Sequence, residues 1–438
     1  VERFSIFPAL GLIWALFPVP ASAATSPEQS DVISFGAKCD GIADDSKAFT
    51  AAIKAADPAK GGAGLVFVPP SKTPCLLAAP VSLPSGTTLF AEPGTATLAP
   101  VAPYPDLKRA PLLLDIKDAS KVTVRGLSFD GRLDRVGTAA SLITVYSADQ
   151  VLFDQVTVQN ARGISISFSG GPNGIRYSGV RNSHFEDDGT YYLKSHDPKT
   201  DRRQVVAFCC GRQDGTGTWN NQHNFASGNH WGRNGFDNLS IGQQSWFTAE
   251  GNHFGGTHNG GNIYCSHNNH IRIIRNTGTG AAGNGIDCFI NDDLTITDND
   301  SSKNGAAGIQ ADGTTCGLIA DNRTVGNFRS VAESWRTDHP GATPSQHRGG
   351  ITIGGGLAAD TQGTSDVVIS RNRSGDDPPG PTQAYGILVL PKAEIRDLRI
   401  TPDNQLSGNT VGAFGGKVSG PTAGAAATPN CALWQGEK

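Results

Sequence analysis

The chain has 438 residues, 55 of them glycine, with 17% charged residues and a formal net charge of −4. That balance excludes a nucleic-acid binder and a polybasic membrane partner. Outside the N-terminal quarter it also lacks the Ala, Leu, Glu, Lys and Arg content that long amphipathic helices require. Length alone suggests about two or three ordinary domains, a rule that a repeat architecture escapes because each unit packs only on its neighbours.

In chain order, residues 1–23 read as an export signal: Arg3 supplies the positive start, residues 5–19 form an apolar run, and Ala21-Ser22-Ala23 is a small-x-small cleavage site. Pro8, Pro18 and Pro20 leave too short a run to span a bilayer. No later segment is apolar enough to cross a membrane, so the mature protein is expected in a secreted or periplasmic location. Residues 24–119 are expected to form an N-terminal cap and the first coils of a solenoid. Within them, VISFGAKCDGIADDSKAFTAAIKAA (32–56) predicts a strand, an acidic Gly turn and an amphipathic helix. Asp44 or Asp45 would cap that helix, and Ala48, Phe49, Ala52 and Ile53 would form its apolar stripe.

The run VISFGAKCDGIADDSKAF (32–49), echoed by LSFDG at 127–131, resembles the opening of the rhamnogalacturonase/epimerase-like module of the pectate lyase superfamily. The resemblance covers residues 32 to 131 and implies a right-handed parallel β-helix. Hydrolases, lyases, epimerases and phage tail fibres all carry the motif, so it marks a fold rather than a reaction. Asp40, Asp44 and Asp45 are therefore read as structural. The sharper signatures are incomplete: of the four polygalacturonase motifs NGIDCF is at most a remnant of one, FEDDGTYY holds Asp187-Asp188 in the wrong order and two are missing, while SHDPK shares only letters with the mannuronan epimerase signature. No family catalytic residue is carried over.

From residue 120 to 414 one phrase recurs: apolar alternation, Asn, Gly-Ile, apolar alternation. It yields Asn160, Asn182, Asn229, Asn252, Asn276, Asn299, Asn322, Asn372 and Asn409, with spacings of 23, 24, 23 and 23 between Asn229 and Asn322. Short strands on that period predict an all-β chain, a parallel β-helix behind a capping helix. Propeller blades and leucine-rich repeats need other periods. Successive coils should stack about 4.8 Å apart, with Asn at the corners forming an amide ladder. The Asn-x-Ser/Thr triplets at Asn238, Asn299, Asn322 and Asn372 are then by-products of the repeat. Aligning the Gly-Ile steps places Cys265 over Cys288 in the interior, either bonded or as two packed thiols. Residues 197–225 and 329–349 interrupt the repeat and should emerge as loops. The tail, 415–438, reads as flexible or as a loose strap, with Cys431 unexplained.

The outward face of the Gly-Ile strand is a natural platform for an extended sugar chain. Asp237, Tyr264, Asp287 and Gln310 are expected in one column, and Ser266, Phe289 and Asp312 in the next. Asp287 and Asp312 then lie one coil and two residues apart, about 8 Å, within the roughly 6.5–9.5 Å range that suits inverting glycoside hydrolysis. Asp237 with Asp287, about 10 Å apart, is the second pairing. Expected sugar contacts are Tyr264, Gln310, Lys194, His196, Arg233 and His267, with Trp219 and Trp335 as cleft walls. His258 and His270 lie along the same face. β-Elimination from a uronate would instead use Lys194, His196 or Tyr264 as base and Arg233 or Ca²⁺ to neutralise the carboxylate. No cofactor and no compact metal constellation is expected. The favoured reading is an exported enzyme that hydrolyses a polysaccharide through paired Asp residues. A uronate lyase or C5-epimerase is the alternative, and a non-catalytic carbohydrate-binding solenoid the third.

Overall fold

The computed structural model describes residues 29–101, 113–132, 141–189, 204–329, 349–355, 362–376, 382–422, 424 and 428–431. Residues 1–23, Lys194, His196 and Trp335 lie outside them. A typical coil contributes three short strands, such as Ile143–Tyr146, Asp149–Asp154 and Thr157–Gln159. Each pairs in parallel with its counterparts one coil before and after. Two strands per coil join a 22-stranded sheet and the third an 11-stranded sheet, which together wrap a single bore. The chain is a parallel β-helix.

The period arises from what the bore must hold. Ile263, Ile286 and Ile309 lie in register on three successive coils, as do Cys265, Cys288 and Ala311, and all six are buried. Cys265 and Cys288 are joined in a disulfide one coil apart. Larger rings fill the bore elsewhere. Phe168 stacks on Phe208 at 4.3 Å, and Trp231 sits between Phe185 and Phe254 at 5.3 and 4.6 Å. Burying each such side chain stabilises the fold by roughly 1.5–3 kcal/mol.

The amide ladder runs through Asn229, Asn252, Asn276, Asn299, Asn322, Asn372 and Asn404, each side-chain amide donating to the next amide oxygen at 2.8–3.0 Å. Three expected members fall elsewhere. Asn160 and Asn182 take left-handed backbone conformations and bond Asp130 and Asp154, while Ser183 occupies the ladder position beside Asn229. Asn409 bonds Ser374 and Gln383 instead. Asn238, Asn299, Asn322 and Asn372 are all at most 2% exposed, which removes them as glycan acceptors.

At the N-terminal end a helix, Ser46–Ala56, turns Ala48, Phe49, Ala52 and Ile53 onto the first coils. Asp44 caps it, accepting from Ser46 N at 3.0 Å, whereas Asp45 accepts from Lys38 N and Cys39 N. The strand expected to open 32–56 is replaced by a 3-10 turn, Val32–Phe35. Asp31 accepts from Ile33 N at its start, and Gly36 ends it at φ 96°. Cys39–Cys75 ties this cap to the sheet. The first interruption also needs correcting. Val206–Cys209 within 197–225 is a regular rung, paired with Ile166–Ser169 and Leu239–Gly242. Among the described residues of that segment, 211–220 leaves the coil as a hairpin.

Where it is described, the C-terminal part of the chain is fastened along the coils. Gly412–Gly416 pairs with Tyr385–Val389, Thr422 N donates to Ile400 O, and Asn430 N donates to Asp366. Cys431 is bonded to Cys316. This segment crosses coils whose outward side chains Leu318, Ala320 and Val368 form a separate buried apolar cluster.

Candidate active site

Where the 23-residue phrase is most regular, Ile263–Ile274, Ile286–Thr297 and Ile309–Ala320 are strands of 12 residues that bend around a corner. Left-handed residues make the bend: His267, Ile290 and Gly313 on one side, His270, Asp293 and Cys316 on the other. The first four residues of each strand form the face expected to carry chemistry. Alternation then decides the display, with Ile and Cys or Ala inward and the residues between them outward.

Two outward columns result. Tyr264, Asp287, Gln310 and Thr352 are in register, and so are Ser266, Phe289, Asp312 and Gly354. Asp287 and Asp312 thus lie on adjacent strands, offset by two positions, a diagonal of about 7–8 Å. Asp237 does not join the first column, because Ser240 is the partner of Tyr264. Three residues earlier in the coil, Asp237 is buried and accepts from Gly261 N at 2.6 Å. The alignment on Gly-Ile misplaces it because in NGFDNLS three residues, Phe236 to Asn238, separate the Gly from the strand that begins at Leu239.

The two carboxylates have different surroundings. Asp287 is half-buried, between Tyr264 and Gln310 in register. Asp312 is 8% exposed, with Oδ2 accepting from Gln310 Nε2 at 2.7 Å. Gln310 is held in turn by Asn284, whose Nδ2 donates to its Oε1 at 3.1 Å. Gln310, expected to touch sugar, is 1% exposed and orients Asp312 instead. The other Asp312 oxygen lies against Gly354 of the next coil, where an added Cβ would overlap it. Burial pushes the Asp312 carboxyl up to about 6, against the opposing pull of the Gln310 amide and the Gly354 N–H.

Aromatic rings line the approach: Tyr264 and Phe289, on the two columns, have centroids 5.9 Å apart. Arg233 is exposed in the turn that leads into the Ser240 strand, with His258 near it in the following coil. Burial and the Arg233 charge lower the His258 pKa, and Asp187 opposes them. His267 is exposed directly after Ser266, at the bend. Trp219 belongs to the 211–220 hairpin. Its backbone N–H donates to Ser245 Oγ, and Gly217 O accepts from Asn269 Nδ2 two coils on, so the hairpin lines the bend beside the face.

A second group of outward rings went unrecognised in the sequence. Tyr177, His223, Trp246 and His270 stack face to face at 4.9, 5.1 and 4.9 Å along the far side of the bend, and His270 bonds Asp293 at 2.7 Å. His184, His230 and His253 form another stack at 4.9 and 4.8 Å. The signal was legible as one ring per period, but the first stack lies on left-handed corner residues and the second on the third strand of each coil, both outside the Gly-Ile alignment.

Among the described residues, the one convergent set of three metal-ligand atoms is Cys39, Asp45 and Cys75, and those cysteines are bonded to each other. No helix of the described residues is long and apolar enough to cross a membrane.

No family model and no curated protein sequence matches the chain. Solved structures do. The A-module of Azotobacter vinelandii mannuronan C-5 epimerase AlgE4 is similar at TM-score 0.63 and 15% identity, over 89% of this chain and 98% of that one. The AlgE6 A-module is similar at 0.60 and 16%, over 90% and 100%. The Streptococcus pneumoniae surface adhesin PfbA is similar at 0.50 and 17%, over 86% and 83%. The chain has the right-handed parallel β-helix fold of the pectate-lyase-like proteins.

Proposed function

We propose that this chain is a carbohydrate-active enzyme that cleaves glycosidic bonds of a polysaccharide with inversion. In this reading Asp312 protonates the leaving oxygen, and Asp287 takes a proton from the water that attacks the anomeric carbon. One observation carries it: a buried carboxyl with its pKa raised to about 6, held by Gln310, stands diagonally across one rung from a half-buried carboxylate. Two carboxyls in unlike environments divide naturally into acid and base. Tyr264 and Phe289 supply faces for sugar rings, and Arg233 and His267 flank the face.

A second reading, proton abstraction at C5 of a uronate as in a lyase or epimerase, is favoured by Tyr264 lying in register beside Asp287. Arg233, in the turn that leads into the Ser240 strand, offers a cationic group. The fold-level likeness to mannuronan C-5 epimerases supports polysaccharide as the substrate class for either reading. Export is part of the proposal, supported by residues 1–23 and by four disulfides, which persist in oxidising compartments.

The test is digestion of a polysaccharide panel with product analysis by mass spectrometry, ultraviolet absorbance and proton NMR, which reads anomeric and epimer configuration. New reducing ends of inverted configuration, without unsaturated uronate, are the expected result. Unsaturated ends, or altered epimer composition with unchanged chain length, would sink hydrolysis in favour of the second reading.

A further inference from the structure

The column that carries Asp312 continues well beyond the acids. Tyr146, Ser169 and Cys209 are in register on successive coils, and Gly242, Ser266, Phe289 and Asp312 extend the same line. Cys209 is bonded to its neighbour Cys210, which is exposed and left-handed at φ 64°. The backbone there is pinned, because Cys209 O accepts from Gly170 N at 2.9 Å and from Asn221 Nδ2 at 3.0 Å. Glycines flank the pair. An added Cβ at Gly170 would come within 2.9 Å of Cys210 O, and Gly242 on the other side meets only ordinary contacts, the nearest at 3.6 Å. The disulfide therefore stands above a low floor that runs toward Ser266.

This bond does no stapling. The other three disulfides close separations of 36, 23 and 115 residues, whereas this one closes a separation of 1. A loop that short removes almost no freedom from the unfolded chain. What the bond does create is a small rigid ring with two polarisable sulfurs at an exposed point of the acid-bearing face. Such a plate suits the C–H side of a pyranose, with no side-chain freedom to lose on binding.

We propose that the Cys209–Cys210 disulfide is a distal sugar subsite, four rungs or about 19 Å from Asp312, that engages only chains long enough to span the gap. The proposal rests on the reading that this face binds polysaccharide. Gly242 keeps the floor between the two ends open, and the Tyr146 ring continues the track beyond.

The experiment measures binding of labelled trisaccharides and octasaccharides cut from alginate, polygalacturonate and a neutral β-glucan. It compares the wild type, the Cys209→Ser/Cys210→Ser double variant and Gly242→Leu, which fills the floor without touching the disulfide. Wild-type protein should bind at least one octasaccharide. Both variants should weaken that binding by about fivefold, the order expected for losing one sugar's apolar contact, with trisaccharide binding and melting temperature unchanged. Equal weakening for both lengths, no weakening, or no octasaccharide bound by the wild type would each overturn the subsite. The acid assignment fails separately. Asp287→Asn and Asp312→Asn variants that retain full turnover would remove it and leave a length-selective disulfide effect standing.

Discussion

The same coils carry two columns that behave in opposite ways. In the amide ladder from Asn229 to Asn404, each side chain satisfies the next, and the residue type hardly varies. On the acid-bearing face the occupant changes at each rung: Ser240, Tyr264, Asp287, Gln310, Thr352. Stacked amides pair donor to acceptor along the axis, and stacked rings cover one another's faces, so a uniform column spends its interactions on itself. A mixed column cannot, and its polar groups must find partners across columns or in a ligand. In a solenoid, uniformity marks structure and heterogeneity marks chemistry. Tyr177–His223–Trp246–His270 varies in residue type, but its rings cover one another, so it spends its contacts within the column as the ladder does, although Tyr177 is 54% exposed.

The largest separation of the two columns should come from the acids. Asp312→Asn and Asp287→Asn should each cut turnover at least about a hundredfold, while shifting the melting midpoint at pH 5 by no more than about 2 °C. Full activity in both variants would erase the distinction between the columns. Asn276→Ala should do the reverse. It removes bonds to Asn299, Ala249 and Asn252, which predicts a loss of about 1–3 kcal/mol in urea unfolding with turnover per folded molecule intact.

pH sharpens the contrast. Burial raises Asp188 to about 7 and Asp312 to about 6, from an ordinary value of 3.8. The folded state therefore holds protons that the unfolded state has released, so this contribution to stability is complete below 3.8 and is lost as pH rises through 6 to 7. Unfolding free energy across that window should fall less steeply in Asp188→Asn. For turnover, Asp312 must be protonated, so the basic limb should lie near pH 6. The Gln310 hydrogen bond holds this pKa down, so Gln310→Leu should move the limb upward. A limb that stays in place would show that Gln310 does not act through Asp312. The smallest effect is expected at the ring stack. His223→Ala should cost about 0.5–1.5 kcal/mol and leave turnover unchanged.

The coil period, the inward Ile and Cys positions and the pairing of Asp287 with Gln310 were legible in the sequence, because a strand's alternation and a fixed repeat length together determine which residues meet. Errors arose where coils differ in length. Asp237 fell out of column because three residues separate Gly235 from its strand, the rung Val206–Cys209 was hidden between loops, and Asn182 yielded the ladder to Ser183. Local hydrogen bonding, rather than apolar pattern, settles register in such coils.

Sequence by itself determined the solenoid, its cap and the face on which two acids meet, since each follows from periodicity and from the need to hide apolar side chains. Only the tertiary structure decided how those acids differ. How the Gln310 beside Asp312 is held, by Asn284, and which distant cysteines staple the coils, Cys265 to Cys288 and Cys316 to Cys431, depend on neighbours brought together from 23 to 115 residues away. A carboxyl's solvation is set by everything packed around it in space, and no short stretch of chain contains that information.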